Sequence, residues 1–253
     1  MNIEQLHKLN EIAAKFTPEL LVNYIPKADP NEGFPRDLLE LAAINLKYAK
    51  DSEQRLTMNE VFKSLIERGL DMSRPIHTMA IGDNPPPSII QFLSNTQNAT
   101  DNVIKAALSK NPDITLASNS GYNPLLGCIQ HKRYDLYDTF YVKGLRLSPE
   151  AANVALVILT ATCSTSDKPE VKSHNEKVAK QLMLMGANLF ETKMYGSGVE
   201  VELAERGYHK LASIIEKVKL HTTMNRVSAE IDLADVTPEE QRVVQHVHAS
   251  RGL

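Results

Sequence analysis

The sequence predicts an all-α chain built as a stack of helix pairs, and three observations carry that prediction. Four helix endings line up, namely "SLIERGLDM" at 64–72, "AALSKNPDI" at 106–114, "TFYVKGLRL" at 139–147 and "QLMLMGANL" at 181–189. Each runs from apolar residues through a residue that tolerates a left-handed backbone to an alternating apolar exit. The left-handed candidates, Gly69, Asn111, Gly144 and Gly186, are spaced by 42, 33 and 42 residues. With 42% hydrophobic and 23% charged residues over 253 positions, the chain has the composition of one able to bury a core.

From the N-terminus, "IEQLHKLNEIAAKF" puts Leu6, Leu9, Ala13 and Phe16 on one helical stripe, and Thr17-Pro18 restarts a helix. Residues 1–27 are therefore expected to form a helical cap. Stepping back 42 from Gly69 reaches Lys27, and stepping forward 33 from Gly186 reaches Lys219. This gives about five degenerate units over 28–219, ending near 69, 111, 144, 186 and 219. Thr57-x-x-Glu60 and Ser173-x-x-Glu176 read as capping boxes that open second helices. The polar stretches before them, "KDSEQRL" and "STSDKPEVK", then become loops holding the extra residues of the long units, at the end opposite the fingers. The triple proline of "GDNPPPSII" interrupts the middle long unit. Pro75 and Pro149 follow Gly69 and Gly144 by only six and five residues, so the fingers there are expected to be short. Residues 220–253 form a tail in which Thr237-Pro238-Glu239-Glu240 opens a last helix.

The most regular unit, "GYNPLLGCIQHKRYDLYDTFYVKGL" from Gly121, resembles the ankyrin pattern G-x-T-P-L-H-x-A, with Asn123 for Thr, Leu126 for His and Cys128 for Ala. Weaker copies start at Asp37, Arg74 and Gly198, the last with Ala204-x-x-Gly207 at the helix-to-helix turn. The resemblance covers roughly 28–219 and implies an ankyrin-repeat solenoid with short β-turn fingers and a helical cap at each end. A generic tetratricopeptide or armadillo solenoid is the alternative. The resemblance also implies non-enzymatic binding of a protein partner through finger tips and the exposed side of each first helix. In this chain those positions are Ser118, Asn119, Tyr122, Gln130, His131, Lys132 and Arg133, then Lys193, Met194, Tyr195, Ser197, Glu205 and Arg206. Tyr122 and Tyr195 fall at nearly equivalent registers, either as interface anchors or as packing within a finger. The basic run 131–134 meets an acidic partner or merely solvates a helix turn. Worn motifs with irregular insertions resemble the ankyrin proteins that intracellular bacteria deliver into host cells, and Glu239-Glu240 resembles their acidic secretion signals.

The net charge of -3 gives no bulk drive toward nucleic acid or an anionic membrane, and no apolar run is long enough to span a bilayer. The first residues lack the continuous apolar core of a signal peptide. Two cysteines without CxxC spacing fit a reducing, cytoplasmic compartment. Cys128, three residues before His131, is read as a small buried residue or as a nucleophile with a histidine at hand. Cys163, at the head of an insertion, is expected to be exposed. Thiol chemistry in an enzyme or an enzyme's regulator is thus the competing function. The eight histidines show no metal-ligand spacing, and no phosphate-binding glycine loop occurs, so no metal or cofactor is expected. A monomer is expected.

Overall fold

A computed structural model of the chain describes Asn31 and residues 33–80, 85–114 and 122–234, with side chains from 39 onward up to 223. The expected cap at 1–27, the positions Ser118 and Asn119, and the helix expected from Thr237-Pro238 lie outside the described residues. The described chain is mostly helical, with one two-stranded hairpin, so it is all-α.

The helices come in pairs: α1 (Gly33–Lys47) with α2 (Ser52–Glu67), α3 (Ile89–Asn95) with α4 (Asp101–Ser109), and α5 (Pro124–Gln130) with α6 (Tyr134–Val142). Then follow α7 (Pro149–Thr162) with α8 (Pro169–Leu184), the hairpin β1 (Lys193–Met194) and β2 (Ser197–Gly198), and α9 (Val199–Glu205) with α10 (His209–Ala234). Within each pair the two helices pack on each other. The first helices α3, α5, α7 and α9 pack side by side in one row, and α2 packs on α4 behind them. A single apolar cluster runs from Leu39 to Ile215, with Phe62, Phe92, Tyr137 and Phe140 among its fully buried members.

All four residues at the shared register have positive φ: Gly69 at 93°, Asn111 at 49°, Gly144 at 95° and Gly186 at 94°. At Gly69 the backbone makes the two bonds of a Schellman end, Gly69 N–H to Ile66 O at 3.1 Å and Leu70 N–H to Leu65 O at 3.0 Å. Gly144 and Gly186 repeat this pair of bonds. Asn111 makes only the first, to Leu108 O at 3.1 Å, because Pro112 has no N–H for the second. The turns between first and second helices use the same device at Lys132 (φ 54°) and Gly207 (φ 77°).

The helix starts differ from expectation. The second helix α2 opens at Asp51, whose side chain accepts from Gln54 N at 2.8 Å, and α8 opens with Pro169 at its first position. Thr57 and Ser173 therefore lie inside helices, because stronger start signals upstream had already begun them. The capping box that does form is Ser88 with Gln91, at the head of α3. "RPIHTMAIG" is not a first helix either. It supplies a 3-10 turn at His77–Met79 whose backbone rests on buried Glu40 of α1, and Pro75 forms a bridge with Ser88. The segment after Gly69 is thus long, and only the one after Gly144 is short. The extra residues of the 144–186 unit sit in the helices themselves, since α7 and α8 have 14 and 16 residues where α5 and α6 have 7 and 9. Nor does a unit end at Lys219. Helix α10 runs through it for 26 residues, about 39 Å at 1.5 Å per residue.

Candidate functional site

Most of the residues expected at a partner surface gather into two places: Gln130 to Arg133 and Arg206 at the turn edge, and Lys193, Met194, Tyr195 and Ser197 in the finger before α9. On the turn edge, Arg133 follows the left-handed Lys132 and points back at the unit before it. Its Nη1 donates to Ser94 O at 3.0 Å, and Nη2 donates to Thr96 O at 2.9 Å, Gln97 O at 3.2 Å and Ala99 O at 2.6 Å. Its Nε lies 3.4 Å from Asp101 Oδ1. These are the carbonyls that the end of α3 and its following turn leave without helical partners, and a cation there also matches the negative end of the helix dipole. Arg133 is only 7% exposed, so the expectation that it touches a partner is corrected: its guanidinium is consumed inside the protein.

His131 acts at the same joint. Its Nε2 is 3.2 Å from Asn95 O, an acceptor only, so Nε2 carries the proton. Burial lowers the His131 pKa, the Asn95 bond opposing, and the ring is neutral at pH 7. Arg206 holds the matching place at the end of α9, where Nη1 donates to Ala161 O at 3.3 Å and Cys163 O at 3.2 Å at the end of α7. Asn98 does the same for α1, donating to Leu46 O at 3.0 Å and Lys47 O at 3.2 Å. Lys132 reaches forward, its Nζ 3.2 Å from Asp167 Oδ1. Between these turns opens a cleft of about 500 Å³, lined by Gln97, Ala99, Asp101 and Gln130 to Arg133.

Both thiols are sealed. Cys128 is 1% exposed and burial pushes it up to about 12, while His131 Nε2 is bonded to Asn95 O. Cys163 was expected to be exposed, and that is corrected too: it is buried, and burial pushes it up to about 11. Asn175 and Tyr208 close over it from α8 and the next unit, with Asn175 Nδ2 donating to the Tyr208 hydroxyl at 2.9 Å. Tyr208 in turn donates to Asp167 Oδ2 at 2.6 Å. A protonated, buried thiol is neither nucleophile nor metal ligand. Among the described residues no group of histidines, cysteines and carboxylates could hold a metal, and no helix is long and apolar enough to cross a membrane.

The finger is built differently. Lys193 pairs with Gly198 and Met194 with Ser197, and the two residues between, Tyr195 (φ 51°) and Gly196 (φ 88°), are both left-handed. That is the primed turn that suits the twist of a two-residue hairpin. Met194 and Val199 anchor it in the core, whereas Tyr195 is 85% exposed at the tip and Lys193 is exposed beside it. The finger's first residues are pinned to α7, with Asn188 N donating to Asn153 Oδ1 at 2.5 Å. Tyr122 does not match Tyr195. It directly precedes the N-cap Asn123 of α5 and is half-buried against the core, whereas Tyr195 stands three residues before the N-cap Gly198. Gln130 is exposed at the end of α5.

Asp101, Asp167, Asn98 and Tyr208 carry as much of the turn edge as the expected residues do. None belongs to a local motif. Their partners lie in other helix pairs, tens of residues away in sequence. Comparison with family models, curated proteins and solved structures found no match.

Proposed function

We propose that the chain is a degenerate ankyrin-type stack that binds a protein partner, without catalysis, through its finger and first-helix surface. The observation that carries this reading is Tyr195. A non-glycine residue in a left-handed conformation costs roughly 1 kcal/mol, yet this one is a large aromatic held out in solvent with no packing role. Aromatic side chains on rigid supports are the usual anchors of protein interfaces. Lys193 beside it and Gln130 on α5 complete the partner-facing set, while Tyr122 packs against the core. The partner is a cytosolic protein, and the worn repeat pattern keeps a host-directed bacterial effector as the biological setting.

The test is capture of a partner from native or host cytosol on the immobilised full chain. Tyr195→Ala with Lys193→Ala is expected to weaken recovery by about tenfold while the circular dichroism is unchanged. Recovery that ignores both substitutions moves the site off the finger.

A further inference from the structure

Helix α7 is apolar on its outer side as well as its inner one. Its inward residues Ala152, Ala155, Leu156, Leu159 and Thr160 are buried, and on the opposite side Val154 is 53% exposed, with Val157 and Ile158 half-buried. An apolar outer face on a row helix calls for an explanation, because a helix that is apolar all round is normally covered all round. Neighbouring helices extend this face. Five residues before their C-caps stand Leu126 on α5, Ile158 on α7 and Val201 on α9; Leu126 and Ile158 are half-buried with part of each against the core, and Val201 is 46% exposed. The C-caps of α7 and α9 are level, since Arg206 at the end of α9 donates to Ala161 O and Cys163 O. The row stops at α3, where the same place is taken by buried Gln91, bonded to Ser88 N. Asn153, next to Val154, holds the finger that carries Tyr195.

The exposed, unpaired charges on the outer side of α7 and α9 have one sign. Glu150 in the first turn of α7 and Glu205 at the end of α9 are exposed, and neither is in an ion pair among the described residues. Arg206, the nearest cation in the chain to Glu205, already faces Glu202 at 3.8 Å, and Lys193 lies on the hairpin, outside the row of helices. Helices in contact are about 8–10 Å apart, so the stripe from α5 to α9 is roughly 20 Å long. About 13 residues of helix cover that distance at 1.5 Å each.

We infer that the Leu126, Val154, Ile158 and Val201 stripe takes the apolar side of an amphipathic helix whose flanks are basic, Lys or Arg meeting Glu150 and Glu205. This rests on the protein-binding reading and names the chemistry of its partner: apolar side chains at helical spacing for the stripe and cations on the flanks that face Glu150 and Glu205.

The probe is a labelled peptide of about 15 residues, leucines at i, i+3, i+4 and i+7 with lysines elsewhere, titrated against the full chain; its twin carries glutamate for lysine. The lysine peptide is expected to bind and the glutamate twin to bind at least about tenfold more weakly. Glu150→Lys with Glu205→Lys should reverse that order, and Val154→Asp, at an exposed site that cannot upset the core, should weaken the lysine peptide by about tenfold. Failure of the lysine peptide to bind overturns the inference, as does equal binding of the twin, indifference to these variants, or equal binding of a proline-interrupted peptide that cannot form a helix. If the peptide fails while Tyr195-dependent capture persists, protein binding stands and only the helical, basic partner falls. If the peptide binds as stated and capture ignores Tyr195, it is the finger that falls.

Discussion

The turn edge and the finger hairpin hold residues of the same kinds and put them to opposite uses. At the turn edge His131, Arg133 and Arg206 turn inward and satisfy carbonyls of the preceding unit. At the hairpin Tyr195 and Lys193 are exposed, although Tyr195 occupies a backbone conformation that disfavours it. The difference follows from what each end of a helix pair must satisfy. A first helix ending at a turn leaves carbonyls without partners, and in a stack the next unit is the donor within reach. A hairpin satisfies its own backbone, so its tip side chain is left free for other contacts.

Arg133→Ala should break the comparison most strongly. It strips partners from several buried carbonyls and leaves Asp101 without its cation, so urea unfolding should show a loss of about 3 kcal/mol. Arg133→Lys should recover little of this, because an ammonium cannot span the same fork of acceptors. Next is Gly127→Ala on α5. A Cβ there would overlap the Ser94 carbonyl oxygen and lie 2.8 Å from Asn95 Cα, both backbone atoms, so α3 and α5 must part at a cost of roughly 2 kcal/mol.

Acid should act on the turn edge before the hairpin. Burial lowers the pKa of His131 and of His174, so the unfolded chain binds protons more readily than the folded one. Stability should therefore be flat above the ordinary histidine value of about 6.5 and fall as the pH drops below it. Unfolding midpoints of His131→Gln and His174→Gln between pH 7 and pH 5 check this: each variant should flatten the fall. A second decline should set in below about pH 4, where the Asp167 carboxyl takes up a proton in the unfolded chain while the folded one still resists it. Burial alone would raise that carboxyl, but the Tyr208 hydroxyl, the Ser164 N–H and Lys132 together hold it below the usual range.

The smallest effect, and the sharpest contrast, belongs to Tyr195→Gly. Relief of the left-handed conformation should leave stability unchanged or raise it by up to about 1 kcal/mol, while partner capture falls. A stability loss as large as that of Arg133→Ala would mean that the hairpin tip is structural and that the two regions do not differ.

Some of this was legible in the sequence for a plain reason. The four left-handed helix ends could be placed because few residues tolerate positive φ, and the constraint lies within a residue and its own peptide bonds. Cys128 as a small buried residue was legible from its place in the unit. The second-helix starts were misjudged at Thr57 and Ser173 because a Ser/Thr-x-x-Glu pattern occurs equally well inside a helix, and only the competition with Asp51 and Pro169 decides between them.

By itself the sequence determined the helical class and the left-handed residues that end α2, α4, α6 and α8, which depend on short-range sterics and hydrogen bonding. The tertiary structure alone decided which way Arg133 and Arg206 point, that Cys163 is covered, and that Tyr195 rather than Tyr122 stands in solvent. Those outcomes turn on carbonyls and side chains that lie tens of residues away, as Arg133 does from Ser94 and Arg206 from Cys163. Local propensity carries no information about such partners until the helix pairs have packed and brought them within hydrogen-bond reach.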